Sequence, residues 1–405
     1  MKQAPTSSPA APVVSDRPAD AFEALEQTLR SSGAQAAIDQ LIAHLDNAGE
    51  YRSLLDALLL KARRELDLPL FHFGSLSSLP EPARTRYEER YVEAIRLVGS
   101  RFLDRGEIPA AWAYFRTIGE PAPVASALEQ FKPDDDAEKL GQVIDVAFNQ
   151  GANPRRGFEL ILDHYGTCSA ITALEQSPPA DHAAQVACIE RLIRHLHEQL
   201  VVNIRADIQQ HGESPGETAS ISSLIAGRDW LFADEAYHTD ISHLSATVRY
   251  SILVSDPAVL SLAAELADYG RRLSPRLQFE GAPPFERTFD DHLIYLRALL
   301  GQAQDEAIAH FQQKLGTDLQ GDPESSYPAH VLVNLLARIG RLDQAIDLAT
   351  TRLVHLPGGS MACPGVAELC ARAGRLDRLA AIARQQQDLV DFLAARLQAP
   401  AVSRE

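Results

Sequence analysis

Two stretches of this 405-residue chain repeat one phrase: Gly340-Arg-Leu-Asp-Gln-Ala-Ile346 and Gly374-Arg-Leu-Asp-Arg-Leu-Ala380 begin 34 residues apart. A period of that size constrains the fold strongly. A unit of about 34 residues is a pair of helices that cannot hide its apolar face alone and must lean on its neighbours. Composition agrees, since aromatics make up only 6% of residues and straight-chain helix formers are abundant. No run of alternating β-branched residues calls for a strand. The expected fold class is all-α, an array of antiparallel helical hairpins.

Between Tyr327 and Pro357 the pattern is fullest. Leu332, Leu335 and Leu336 precede Gly340, Ala345, Ile346 and Ala349 follow it, and Pro357 stands where the pair must stop. Glycine admits the left-handed backbone that lets a chain leave a helix, alanine lets two helices approach, and proline cannot continue a helix interior. This segment resembles the tetratricopeptide-repeat family. The next pair, Pro364 to Leu397, keeps Gly374 but has Leu379 at the small-residue position and Asp391 at the proline position, as a terminal repeat does. Glycine echoes at Gly33, Gly106, Gly151 and Gly301 are irregularly spaced. The resemblance implies an α-solenoid in the C-terminal third, with an inner groove that holds a partner's peptide.

Apolar residues recurring at three and four predict helices over 21–31, 35–47 and 50–65, and then from Arg84 to Leu103, Ala110 to Ile118, Ala137 to Phe148 and Asp181 to Gln210. Asp135 with Glu138 reads as the cap of the helix at Ala137. Leu68 to Pro80 reads as a packed loop, with Phe71 and Phe73 folding back onto the helices. His211 to Ser220 reads as a flexible link. The expected organisation is a disordered tail over 1–20, a helical-hairpin array or bundle over 21–272, a Pro-rich linker over 273–288 and tetratricopeptide-like repeats over 289–399.

A formal charge of −17 argues against nucleic acid, whose phosphates call for clustered Lys and Arg, and points to a basic or neutral partner. No stretch reaches the ~20 apolar residues of a membrane helix, and the first twenty residues lack a signal-peptide core, so a cytoplasmic location is expected. Cys168, Cys188, Cys363 and Cys370 have no Cys-x-x-Cys spacing and read as buried free thiols.

Chemistry-capable side chains concentrate in Glu235-Ala-Tyr-His-Thr-Asp-Ile-Ser-His243. Glu-x-x-His is the spacing that di-iron bundles use, but they need it twice, and one copy is found. Two histidines and a carboxylate, His238, Asp240 and His243, match the ligand set of non-haem iron oxygenases. On one regular helix His238 and His243 point ~140° apart, so convergence requires a break near Thr239, such as a helix beginning at Asp240 and capped by it. Glu235 and the remote His292 complete the candidate metal ligands. His195 and His197, two apart, read as solvated. No phosphate loop, nucleophile elbow or His-Glu-x-x-His motif is present.

Two functions follow. The first is a non-enzymatic scaffold that holds a protein or peptide in an acidic groove. The alternative is a metal-dependent enzyme or small-molecule sensor with a pocket around residues 230–250, a divalent metal being its cofactor.

Overall fold

The computed structural model describes residues 18–71, 79–214, 216, 220–316, 323–353 and 363–398. Among them every regular element is helical, and the one extended pairing is an isolated bridge between Glu280 and Arg287. The all-α expectation therefore holds. The chain forms two compact units, Met1–Gly157 and Phe158–Glu405.

The first unit begins with α1 (Pro18–Ala48), α2 (Tyr51–Glu65) and α3 (Ala83–Asp104) and continues with α4 (Ile108–Thr117), α5 (Ala122–Gln130) and α6 (Ala137–Ile144). A π-turn over Asp145–Asn149 leads to α7 (Pro154–Gln176), within which the unit ends. Successive helices pack on one another, α1 on α2, α2 on α3 and α3 on α4. Leu54, Val98, Phe115, Val124 and Leu128 are fully buried between them. Gly33 interrupts α1 at φ 86°, ψ 175°, a conformation open almost only to glycine. The two predicted helices over 21–31 and 35–47 are the halves on either side of it. The cap of α6 is Asp136, one residue later than expected, its carboxylate accepting from Lys139 N at 3.0 Å. Asp134 instead accepts from Asp136 N and Lys139 Nζ.

The second unit contains α8 (His182–Gln210), α9 (Ile221–Ile225), α10 (Ile241–Tyr250), α11 (Pro257–Gly270) and α12 (Thr288–Leu299). Then come α13 (Gln304–Gln313), α14 (Pro323–Arg338), α15 (Leu342–Arg352), α16 (Val366–Ala373), α17 (Leu376–Gln386) and α18 (Leu389–Gln398). Along α8, Ile189, Leu192, Ile193, Leu196 and Leu200 are fully buried, a three-and-four spacing that puts one stripe inward. Helix α11 packs against α8, α10 and α12.

From α12 onward the helices pack in sequential pairs, and two of the turns are built alike. Gly340 and Gly374 take φ 80° and 67°, and the amide after each, Arg341 N and Arg375 N, donates back to Leu336 O and Cys370 O at 2.8 Å. That i to i−5 bond is the helix-ending arrangement for which glycine is favoured. Arg341 pairs with Asp305 at 3.1 Å, and Arg375 with Asp343 at 3.0 Å. Both aspartates lie near the start of the second helix of the preceding pair, so one contact recurs a pair further on. Exposed as they are and screened by solvent, these pairs mark register more than they stabilise. Pro357 lies outside the described residues, as does Phe73.

Residues 273–288 are not a linker between modules. Leu273, Phe285 and Thr288 are buried, and Gly281 N donates to Glu286 O at 2.9 Å, closing a tight loop. Phe285 stacks on His292 at 4.0 Å and meets Tyr295 and Phe311 edge-on, so the segment is part of the second unit's core. Its prolines signalled a chain reversal, and composition alone does not distinguish a reversal from a boundary. Phe71 also departs from expectation: at 82% exposed it does not fold back.

Candidate functional site

Helix α8 ends near His211, and the following 3-10 turn, Asp229–Glu235, sets the residues around position 240. Asp234 and Glu235 adopt left-handed φ of 53° and 61°, turning the chain before His238. Glu235 and His238 therefore do not share a helix face. Glu235 instead meets Arg276 at 3.2 Å on the exposed surface.

His238 is the most enclosed of the candidate ligands in this stretch. Its Nε2 lies 3.0 Å from Asp207 Oδ2, and both its Nδ1 and its backbone N lie 2.9 Å from the Tyr269 hydroxyl. A carboxylate only accepts, so Nε2 bears a proton and donates to Asp207, while Nδ1 is paired with the Tyr269 hydroxyl. Burial pushes the Tyr269 phenol far up, which keeps that hydroxyl a donor.

Asp240 does interrupt the helix as the candidate geometry required, but it is consumed by the interruption. It caps α10, accepting from Ser242 N at 2.8 Å and His243 N at 3.2 Å. The Ser242 hydrogen bond, followed by those amides, holds its carboxyl below the usual range despite some desolvation. His243 turns within α10, its carbonyl accepting from Thr247. His292 belongs to a different centre, where its Nδ1–H donates to Thr288 O at 2.6 Å and burial lowers its pKa to about 4. His238, Glu235 and His292 thus bond to separate partners, while Asp240 is taken up by the first amides of α10, that of His243 among them. Among the described residues no group of three or more His, Cys, Asp and Glu side chains converges as a metal site requires.

His195 and His197 are not solvated either. Burial lowers the pKa of His195, while His197 Nε2 sits 2.8 Å from Glu265. Burial tends to raise the Glu265 carboxyl, but the His197 hydrogen bond and the Ile221 amide bring it below its usual value.

The strongest polar centre went unrecognised in the sequence. Asp291 is completely buried on α12 and accepts from Lys314 Nζ at 2.7 Å, His310 Nε2 at 2.8 Å and Arg287 N at 2.8 Å. Lys314 also reaches Glu286 and the Pro284 carbonyl. The available signal was positional: Asp291 falls on the same helical stripe as Thr288, His292 and Tyr295, all buried. With every donor aimed at another protein atom, the arrangement fixes the loop at 280–287 onto α12 and α13.

Apolar side chains left outside make two further features. On α18, Leu389, Val390, Leu393 and Leu397 are between 56% and 80% exposed, while the buried residue is Ala395. At ~100° per residue these four occupy one stripe ~100° wide. Arg384 and Arg396 both lie over Phe392, at 5.1 and 5.6 Å, and neither makes an ion pair among the described residues. In the first unit, the two halves of α1 and helix α2 enclose a groove of about 380 Å³, lined chiefly by Phe22, Leu25, Leu29, Ile38, Leu60 and Leu70.

No helix among the described residues is long and apolar enough to cross a membrane. Comparison of the sequence with protein-family models and with curated proteins finds no match.

Proposed function

We propose that the chain is an interaction protein of the tetratricopeptide-like kind, whose sequential helical pairs hold a partner protein's amphipathic helix against α18. The observation that carries this reading is the inverted burial of α18, which turns its alanine inward and its leucines outward. Elsewhere in the array the large apolar residues are the hidden ones, as with Leu332, Leu335, Ile346 and Leu369. Among the described residues nothing covers that outward face of α18. The recurring Arg–Asp contact and the matched turns at Gly340 and Gly374 support the repeat reading.

The local charge differs from the net charge. The chain carries −17, yet Arg396 lies ~20° beyond Leu389 around α18 and Arg384 shares its aromatic platform. A helix bearing acidic residues beside its apolar stripe is the complement, in place of the basic segment expected from composition.

The reading is tested by fluorescence anisotropy with a labelled 16-residue helix carrying Leu at i, i+3, i+4 and i+7 and Glu on the flanks. Binding near the micromolar range is expected, at least about tenfold weaker for Leu393→Asp, with an unchanged melting temperature. Both chains carry Leu29→Asp, so that the exposed apolar groove of the first unit takes no part, and equal affinity with and without Leu393→Asp discards the reading.

A further inference from the structure

We infer that the groove of the first unit is a second, separate docking site, shaped for an amphipathic helix that carries an acidic residue beside its apolar stripe, with Arg64 as the counter-charge. Phe22, Leu25 and Leu29 recur at i, i+3 and i+7 on the first half of α1, forming one wall. Ala34, Ala37 and Ile38 from the second half form the floor, and small floor residues allow another helix to come close. Gly33 makes this possible, because its backbone turns the two halves so that both face the same hollow. A neighbouring hollow of about 460 Å³ shares Leu41, Leu60 and Leu70 but is of mixed polarity, with Ser53, Asp56 and Arg63 also in its lining.

The wall is open in a way that suits a macromolecule. Phe22 is 72% exposed and Leu29 51%, whereas a small ligand is normally enclosed over most of its surface. A helix covers such a track with residues spaced at three and four.

Charge supplies the direction of the preference. Two carboxylates at or near the groove already have cations: Glu26 pairs with Arg30 at 2.6 Å, and Asp39 with Lys61 at 2.8 Å. Arg64 lines the groove, is exposed, and makes no ion pair or side-chain hydrogen bond among the described residues. A guanidinium at the edge of an apolar track favours a carboxylate in the helix that covers it.

The site is independent of the one proposed on α18, so it is tested in the full chain carrying Leu393→Asp, which removes that surface. Two 16-residue helices with the same apolar stripe are titrated, one flanked by Glu and one by Lys. The Glu peptide is expected to bind at least tenfold more tightly. Arg64→Glu is expected to reverse that order, and Leu29→Asp to abolish binding of both. Leu29 and Arg64 are exposed, so circular dichroism of these variants is expected to match the parent. Equal binding of the two peptides, or a preference untouched by Arg64→Glu, overturns the inference. So does a concentration-dependent dimer in sedimentation that Leu29→Asp dissolves, since the occupant is then a second copy.

Discussion

The interior around Asp291 and the first helices of the chain treat side chains in opposite ways. In the former a carboxylate with no solvent exposure is surrounded by Lys314, His310 and the Arg287 amide. In the latter, Phe22 and Leu29 remain largely in water beside Arg64, which makes no ion pair among the described residues. Burying a charge is unfavourable unless hydrogen bonds replace its hydration, and exposing apolar surface gives up the main driving force of folding. The first arrangement is self-sufficient, whereas the second is incomplete until something covers it. The contrast teaches that polarity alone is a poor guide to function here: the most polar centre holds the fold together, and the surfaces proposed for binding are apolar.

The contrast breaks most severely if the interior is disturbed. Asp291→Ala leaves Lys314 and His310 without their shared acceptor and is expected to destabilise the second unit by about 3–5 kcal/mol in urea unfolding. Groove binding of the Glu-flanked helix to the first unit should survive wherever the variant remains folded.

Acid offers a second probe. His292 titrates near 4 in the folded chain against 6.5 ordinarily, because burial disfavours its cation. Between those values the unfolded chain binds the extra proton, so stability falls as pH drops through the window, by at most about 3 kcal/mol. His292→Gln is expected to flatten that part of the pH dependence of the unfolding midpoint.

Gly33→Ala tests the groove's architecture. At φ 86°, ψ 175° a side chain is strained even though no neighbour lies within 4 Å of an added Cβ. A loss of about 1–3 kcal/mol is expected, together with weaker binding of the Glu-flanked helix. The smallest effect sharpens the comparison most: Leu29→Ser and Leu393→Ser are each expected to change stability by less than about 0.5 kcal/mol, because both side chains are already in water. A large loss of stability for either would mean that its apolar surface serves the fold.

Local rules made much of the helical layout readable. The stripe of α8 and the turns at Gly340 and Gly374 follow from spacing and from the conformations glycine permits. Asp240 was legible as a cap for the same reason, since its carboxylate acts on amides two and three residues away. His238 was not. Its partners Asp207 and Tyr269 are each 31 residues distant, and no local pattern announces which histidine will meet which hydroxyl. Asp291 hid for a related reason: it sits among other polar residues, Asp290 and His292, that do not mark it out, and its counter-charge Lys314 is 23 residues on, just after α13.

By itself, then, the sequence determined that this chain is helical, roughly where several helices of its first half run, and that a glycine turn recurs near the C-terminus, because each depends on interactions reaching no more than a few residues. Tertiary structure alone decided that 273–288 folds into a core, that His238 and Glu235 bond to distant residues, and that α18 and α1 keep apolar faces outward. Those outcomes depend on which distant surfaces meet, and a hydrophobic residue looks the same in the sequence whether its partner lies in the same chain or in another.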